Sequence, residues 1–389
     1  MIHVSRSEIW QQESIMHVWA LILGAVFLGL TGGTLYLSCA VGRFGLLRRL
    51  CGDRTWLRRI MGFCVVLLGF CLAARMTSVI NAIIIFLHAL AFFLIFGLIM
   101  RILKKITGRG SRIFWQGWLA VLAAVLTLAW GYYSCMHVMK KEYRLTTGKE
   151  IGRLRAAFFA DSHIGATFDG DGFARELEKI EAEKPDILLI GGDFVDDWSK
   201  REDFVRACEA LGQTNFPYGV WYVFGNHDAG NMADRDFSAE DLRSVMAENG
   251  IHVMEDTCEL IDGRFYVAGR KDKSDRSRKE IGNLLNGLDP SKYILVLDHQ
   301  PHDYAAEADS AADLVLSGHT HGGQFFPFGY VGKLLNTYDR AYGYERRNNT
   351  DFIVSSGIAD WALLFKTGTR SEYVIVDIRS GHPGEEAGN

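Results

Sequence analysis

Cysteine is sparse and unpatterned in this sequence: seven residues, an odd number, with no CxxC pair. That excludes the common cysteine-ligated zinc sites and any disulfide framework readable from spacing. Five of the seven (Cys39, Cys51, Cys64, Cys71, Cys135) lie in or beside apolar runs, where a thiol behaves as a small hydrophobe. Cys208 and Cys258 remain, with a disulfide between them and two separate buried thiols both open. An excess of one charge is lacking too. The net charge is −4, and no Lys/Arg stripe interleaved with aromatics runs through the second half, so no nucleic-acid partner is expected. Histidine is also scarce: twelve in 389 residues, few enough to ask each what it does.

The average composition conceals two halves. Up to about residue 138, long apolar runs alternate with arginine clusters. After about residue 150, short apolar runs alternate with acidic, Gly-containing loops, as in α/β proteins. Residues 19–39 carry no charge, which suits a spanning helix, and residues 113–136 form a second run closed by Tyr132 and Tyr133. Between them, residues 61–100 are mostly apolar and twice the length of one span, which predicts a helical hairpin turning near Arg75 to Asn81. The expectation is a transmembrane anchor over 1–140 (spans about 18–38, 61–79, 82–100 and 113–136), a linker over 141–152, a catalytic domain over 153–380 and a flexible tail over 381–389. Within the bundle, Asn81 and His88 read as helix–helix hydrogen-bonding groups. Arg43, Arg48, Arg49, Arg54, Arg58 and Arg59 in one loop, and Arg101, Lys104, Lys105, Arg109 and Arg112 in another, place both loops on the cytoplasmic side. The expectation is therefore an inner (plasma) membrane protein whose large C-terminal domain lies outside the cytoplasm. Lys140, Lys141, Arg144 and Lys149 argue the other way.

The second half repeats one local design, a short strand-like apolar run ending abruptly in polar residues. "LRAAFFA" leads into Asp161-Ser162-His163, "DILLIGG" into Asp193 with Asp196 three on, and "VWYVFG" into Asn226-His227-Asp228. "YILVLD" leads into His299, and "DLVLSG" into His319-Thr320-His321. A helical pattern such as residues 172–183, apolar at Phe173, Leu177 and Ile180, separates the first strands. Strands alternating with helices imply a largely parallel sheet with its site beyond the carboxyl ends, so all five clusters should converge on one sheet edge. Crowded carboxylates repel one another and raise their own pKa values; divalent cations resolve the conflict, and the donor set suits zinc, manganese or iron. Asp161, His163, Asp193, Asn226, His299, His319 and His321 make seven ligands. One ion takes about four to six, so seven suit two ions sharing a carboxylate. Such a pair, about 3.5–4 Å apart, is a clamp for in-line displacement at phosphorus. Taken singly, each motif is equally a surface turn or a helix cap. His252, His302 and His382 lack the strand-end placement and read as structural.

Together the motifs resemble the calcineurin-like metallophosphoesterase superfamily, whose DxH, GDxxD, GNHD, His-before-Pro and GHxH stand here as "DSH", "GDFVD", "GNHD", "DHQP" and "GHTH". The strings "GHTHGGQ", "LDHQP" and "SSGIADW" look like the membrane-anchored bacterial branch named for YkuE and YaeI, and the animal transmembrane protein with a metallophosphoesterase domain is similar. The resemblance implies an α/β, αββα two-sheet sandwich, preceded here by about four transmembrane helices, with "DFIVSS" and "EYVIVDI" among its last strands. It implies that Asp161, His163 and His321 hold one metal, that Asn226, His299 and His319 complete the second, and that Asp193 bridges. His227 would protonate the leaving oxygen, with Asp196 accepting its other ring hydrogen and Asp228 bracing the turn. A metal-bridging hydroxide would attack the phosphate ester or anhydride.

The substrate is expected to be a phosphorylated small molecule or a lipid-linked phosphate, with the bilayer as the other partner and the oligomeric state left open. Alternatives are a UDP-sugar-lipid pyrophosphohydrolase of lipid A type synthesis and a non-catalytic membrane scaffold with this fold. Arg270, Lys271 and Lys273 are candidates to meet phosphate oxygens, against a solvated loop. Phe325, Phe326, Phe328 and Tyr330, with Trp361, Leu363, Leu364 and Phe365, could meet a lipid-linked substrate or pack a core.

Overall fold

A computed structural model describes residue 24 and residues 27–111, 113–230, 235–326, 328–335 and 337–381. The tail expected over 381–389 lies outside these residues apart from Gly381, as does His382. The chain divides into two compact units, residues 1–129 and 130–389.

The first unit is helical: α1 (Phe27–Val41), α2 (Gly45–Cys51), α3 (Thr55–Met76), α4 (Val79–Thr107) and the greater part of α5 (Trp115–Met136). Among the described residues, α3, α4 and α5 are long and apolar enough to cross a membrane, at 22, 29 and 22 residues. Many of their large apolar side chains are exposed (Leu67, Leu72, Leu94, Leu98, Leu122 and Leu126 among them), which water would penalise and lipid would not. The hairpin turn narrows to Thr77-Ser78, because Ser78 caps α4 by accepting from the Asn81 backbone N–H at 3.2 Å. Against the expected 61–79 and 82–100, α3 starts earlier and ends at Met76, and α4 extends at both ends, since a helix does not stop where charge begins: Arg58, Arg59, Lys104 and Lys105 are helical. The first expected span, 18–38, begins outside the described residues and continues to Val41.

Among the described residues, the second unit holds twelve strands in two sheets. The first runs β1 (Met139–Thr147), β12 (Glu372–Ser380), β2 (Arg153–Phe159), β3 (Ile187–Ile190), β4 (Val220–Val223), β5 (Ile251–Met254). The second runs β10 (Gly343–Arg347), β11 (Thr350–Val354), β9 (Leu314–Ser317), β8 (Tyr293–Leu297), β7 (Phe265–Gly269), β6 (Thr257–Ile261). Strands β2 to β5 are mutually parallel, as are β7, β8, β9 and β11. Alternate residues of each central strand serve two cores, as a period of two requires. Ala157, Phe159, Leu188 and Ile190 pack under α6 (Gly170–Ala182), α7 (Arg201–Gly212) and α8 (Ala239–Glu248), with Phe173, Phe204 and Leu242. Ala156, Phe158, Ile187 and Leu189 meet Val267, Leu295, Leu316 and Ile353 of the second sheet. The far face of that sheet buries Ile294, Val296 and Phe352 under α9 (Ile281–Leu284) and α10 (Tyr304–Ala308). Both faces of both sheets are covered, so their inner strands read as unbroken apolar runs.

Two expectations change. Residues 141–152 are not simply a linker, because most of the segment is β1, paired in parallel along its length with β12. Its polar sequence, "MKKEYRLTT", fits a sheet-edge strand with much of its surface open to solvent. The five polar clusters do not share one sheet edge either. Those after β2, β3 and β4 come from the first sheet, and those after β8 and β9 from the second. Periodicity marks strand ends but not the sheet each strand joins. The cysteines are free, with Cys208 buried and Cys258 half-buried.

Candidate metal centre

The seven candidate ligands meet where the carboxyl ends of β2, β3, β4, β8 and β9 face one another. Asp161, His163 and His321 form one group, and Asp193, His299 and His319 a second; within each, one donor atom per residue lies within 4.8 Å of the others. Asn226 joins the second group, with its Oδ1 3.2 Å from Nε2 of His299. Asp193 connects the two, its Oδ2 3.1 Å from Nε2 of His299 and 3.9 Å from Nε2 of His163.

The backbone is strained to bring them there. Asp161 (φ 56°), His163 (37°), Asp193 (51°), His319 (70°) and His321 (47°) all occupy the left-handed region, which non-glycine residues seldom adopt. Such strain persists only where the surroundings enforce it, and it concentrates at functional sites. Here the enforcement is a set of cross-loop hydrogen bonds. The His319 N–H donates to both Asp161 oxygens (2.9 and 3.0 Å), and the His227 N–H to Asp193 Oδ1 (2.8 Å). Gly192, at φ 92°, admits the approach of two loops, since a Cβ there would stand 2.7 Å from the Gly225 backbone N and 2.8 Å from His299 Nδ1.

Outer contacts set the tautomers. Nδ1 of His299 lies 2.8 Å from the Gly191 carbonyl, which can only accept, so Nδ1 donates there and Nε2 faces the centre. Nδ1 of His163 faces Asp196 Oδ2 at 3.6 Å. No hydrogen bond joins Asp196 to His227 in this structure: Asp196 Oδ2 and His227 Nδ1 are both buried without a partner. The physical reason lies in the loop after β3. The Trp198 N–H (2.8 Å) and the Ser199 hydroxyl (3.2 Å) hold Asp196 Oδ1, and that leaves Oδ2 turned toward His163. The ring of His227 instead packs on Trp361, with centroids 5.2 Å apart, and Trp361 in turn meets exposed Trp198 at 5.6 Å. Asp228 lies fully buried and accepts three backbone N–H groups, from Asp193, Val195 and Gly225, at 2.7–3.0 Å. Burial and the nearby Asp193 carboxylate push it up to about 7.

The charge balance tests whether cations fit. Burial holds His163 well below the usual imidazole value and, with His299 alongside, pushes His319 down to about 3. Burial raises Asp161 above the usual carboxylate range, although His321 and His299 oppose it. For Asp193 burial acts in the same direction, but His299 outweighs it and draws the carboxyl down. The carboxylates in turn raise two of the imidazoles against burial, His299 through Asp193 and His321 through Asp161 and Asp360, so the site combines buried carboxylates with a mixed set of imidazoles. Both ring nitrogens of His163 are buried with no hydrogen-bond partner, whereas buried polar groups in proteins are nearly always satisfied. Carboxylate oxygens, an amide oxygen and neutral imidazoles are the donors that divalent cations take, and the two groups fit two such ions.

A family model described as calcineurin-like phosphoesterase matches residues 154–323. An uncharacterized metallophosphoesterase of Aquifex aeolicus is 30% identical over 272 residues, which cover 66% of this chain and 97% of that protein. The chain belongs to the calcineurin-like metallophosphoesterases. Another member, the uncharacterized metallophosphoesterase YkuE of Bacillus subtilis, is 24% identical over 293 residues, 72% of this chain and 99% of its own. A Danio rerio relative named transmembrane protein with metallophosphoesterase domain is 28% identical over 241 residues, 59% of this chain and 54% of its own. Against two further bacterial relatives the chain spans only 64% of the relative's length. The metallophosphoesterase fold and its paired His/Asp groups therefore follow an apolar helical segment, consistent with a membrane anchor.

The remaining sequence candidates separate. Arg270 is 1% exposed and held inward by Asp298 (2.9 Å), Glu307 (3.1 Å) and Asp303 (2.9 Å), so it is no open phosphate grip. Lys271 is tied to Ser277 and Asp275 in its own loop. His252 stacks on Trp221 at 4.1 Å. His302 stands 6.5 Å from the His319 ring without joining either ligand group. Phe326 is exposed, Phe325, Trp361, Leu363 and Leu364 are half-buried and Phe365 is buried. Phe325 and Phe326 line a cavity of 340 Å³ with Lys333 and Arg340. Sequence reasoning missed Asp360 and Lys366, which lie behind His321. The signal was present: "DFIVSSGIAD" is another apolar strand running out into an acidic residue.

Proposed function

We propose that the protein is a membrane-anchored phosphoesterase that hydrolyses a phosphate ester or phosphoanhydride with water at a pair of divalent cations. The observation that carries this reading is the reach of Asp193 Oδ2 to imidazoles of both ligand groups, 3.1 and 3.9 Å away. In this reading Asp161, His163 and His321 hold one cation, Asn226, His299 and His319 the other, and Asp193 is shared. Bound there, the two cations supply Lewis-acid polarisation of the phosphoryl group and an activated water. The chain's own residues do the rest. Buried Asp161 and Asp193 bring the negative charge that retains the ions, and the backbone donors from His319 and His227 hold both carboxylates in place. Half-buried His227, in neither ligand group, faces the substrate and delivers a proton from Nε2 to the leaving oxygen. Trp361 supports the opposite face of that ring.

The test uses the full chain in detergent, because a fragment beginning at residue 150 would remove β1 from its sheet. Metal-stripped protein reloaded with manganese is assayed on a phosphomonoester, a phosphodiester and a lipid-linked pyrophosphate. Expected is turnover on at least one of these, dependent on manganese and abolished by a chelator. Two bound ions with no turnover on any substrate would instead support the scaffold reading. The arm that responds also decides whether the aromatic residues near the site serve a lipid-linked substrate.

For sidedness, we infer that the two arginine-rich loops face the cytoplasm and the catalytic domain lies across the membrane. β-Lactamase joined after Asn389 should then confer ampicillin resistance on a bacterial host. A stable but silent fusion would reverse the orientation.

A further inference from the structure

The polar chain at the centre continues behind His321. Nδ1 of that ring lies 3.3 Å from Oδ1 of Asp360, and the same oxygen lies 3.1 Å from Nζ of Lys366. Lys366 also donates to the Ser356 carbonyl at 2.6 Å. Asp360 is 1% exposed and Lys366 fully buried. Both belong to the segment between β11 and β12, which is fastened to the last turns of α5. The Lys366 N–H donates to the Gly131 carbonyl (3.0 Å), and Ser371 donates through its N–H to Ser134 (2.9 Å) and through its hydroxyl to Cys135 (2.8 Å).

A fully buried lysine is rare and tolerated only when paired, and a buried carboxylate needs a cation in turn. Neither residue belongs to a ligand group, so the pair calls for an explanation other than direct metal binding. We infer that Asp360, paired with Lys366, is a positioning residue for His321: its Oδ1, 3.3 Å from Nδ1 and otherwise without a hydrogen bond, is placed to take that ring hydrogen, fix the ring and commit Nε2 to a metal on the Asp161 side. The inference rests on the two-cation reading of the centre. The orientation agrees with it, because Nε2 of His321 lies 4.0 Å from Asp161 Oδ1, on the opposite side of the ring from Asp360. A carboxylate behind a ligating histidine sets tautomer and basicity, and its loss typically weakens metal binding about 10–100-fold. Asp360 would stand to His321 as the Gly191 carbonyl stands to His299. It differs in being a carboxylate, and a buried lysine stands beside it at 3.1 Å.

The experiment titrates manganese into the metal-stripped full chain in detergent, followed by calorimetry, for the parent, Asp360→Asn and the double variant Asp360→Asn/Lys366→Met. The single variant leaves a buried ammonium unpaired and can fail to fold. The double variant removes both charges at similar volume, a replacement that proteins often accept. Expected is a folded double variant in which one of two manganese sites weakens about 10–100-fold and the other is unchanged. A folded double variant that binds both ions at parent affinity overturns the assignment while leaving the two-cation reading intact. Loss of cooperative unfolding in the double variant also overturns it, by making the pair a fold element. If the parent binds fewer than two ions, the two-cation reading itself falls.

Discussion

His227→Ala is expected to lower kcat by about 10²–10⁴-fold, the range for removing a general acid, while both cations stay bound. The geometry separates His227 from the ligands around it. Its ring centroid is 5.3 Å from that of His163, yet it belongs to neither ligand group. It is half-buried where Asp161, His163, Asp193 and His299 are buried. Only its backbone supports the centre, through the N–H to Asp193 Oδ1, and alanine keeps that bond. A step that loses a proton donor but no ligand should show as a fall in kcat with little change in KM. Steady-state kinetics at saturating manganese, with bound metal measured by elemental analysis on the same sample, reads both quantities. Parent-like turnover would remove His227 from the mechanism. Loss of an ion would make it a ligand instead.

His227 also marks how far the sequence could be read. The strand ends were legible because an inner strand covered on both faces must be apolar at every position, so the first polar residue after it stands out. "DILLIGG" before Asp193 and "DLVLSG" before His319 have no other periodic reading. The edge strand β1 was not legible, since a strand with an open face carries "MKKEYRLTT" and looks like a linker. Contacts that cross sheets are invisible to periodicity. Nothing in the spacing of Asp196 says that its free oxygen will turn to His163 rather than His227; that depends on Ser199 and the Trp198 N–H capturing its other oxygen. Arg270 misled for the opposite reason. A basic residue in a charged loop suggests an open phosphate site, but its partners Asp298 and Glu307 come from other segments and draw it inward. Left-handed φ at five of the seven ligands is the strongest structural mark of the site, and composition does not predict it.

The largest stability effect is expected at Asp228, which read from sequence as a brace for the turn. Its side chain joins the loop after β3 to the loop after β4: Oδ2 accepts from the N–H groups of Asp193 and Gly225, and Oδ1 from that of Val195. Alanine would leave three buried N–H donors without an acceptor, at about 1–3 kcal/mol each. The loops can relax in part, and single substitutions rarely exceed about 4–5 kcal/mol, so we expect Asp228→Ala to cost about 3–5 kcal/mol. Asparagine should cost less. With its oxygen at the Oδ2 position it keeps the Asp193 and Gly225 donors and loses only Val195, for about 1–3 kcal/mol. Thermal unfolding of the metal-stripped full chain in detergent tests the order. For a unit of this size each kcal/mol corresponds to roughly 2–4 °C in Tm, so the alanine variant should melt on the order of 10 °C below the parent and the asparagine variant between them. Equal melting of all three would mean that the loops are held by their strands alone. Because Asp193 hangs from the same carboxylate, the alanine variant should also place the shared ligand poorly. Its loss of manganese affinity, compared with the asparagine variant's, would separate the brace's effect on the fold from its effect on the centre.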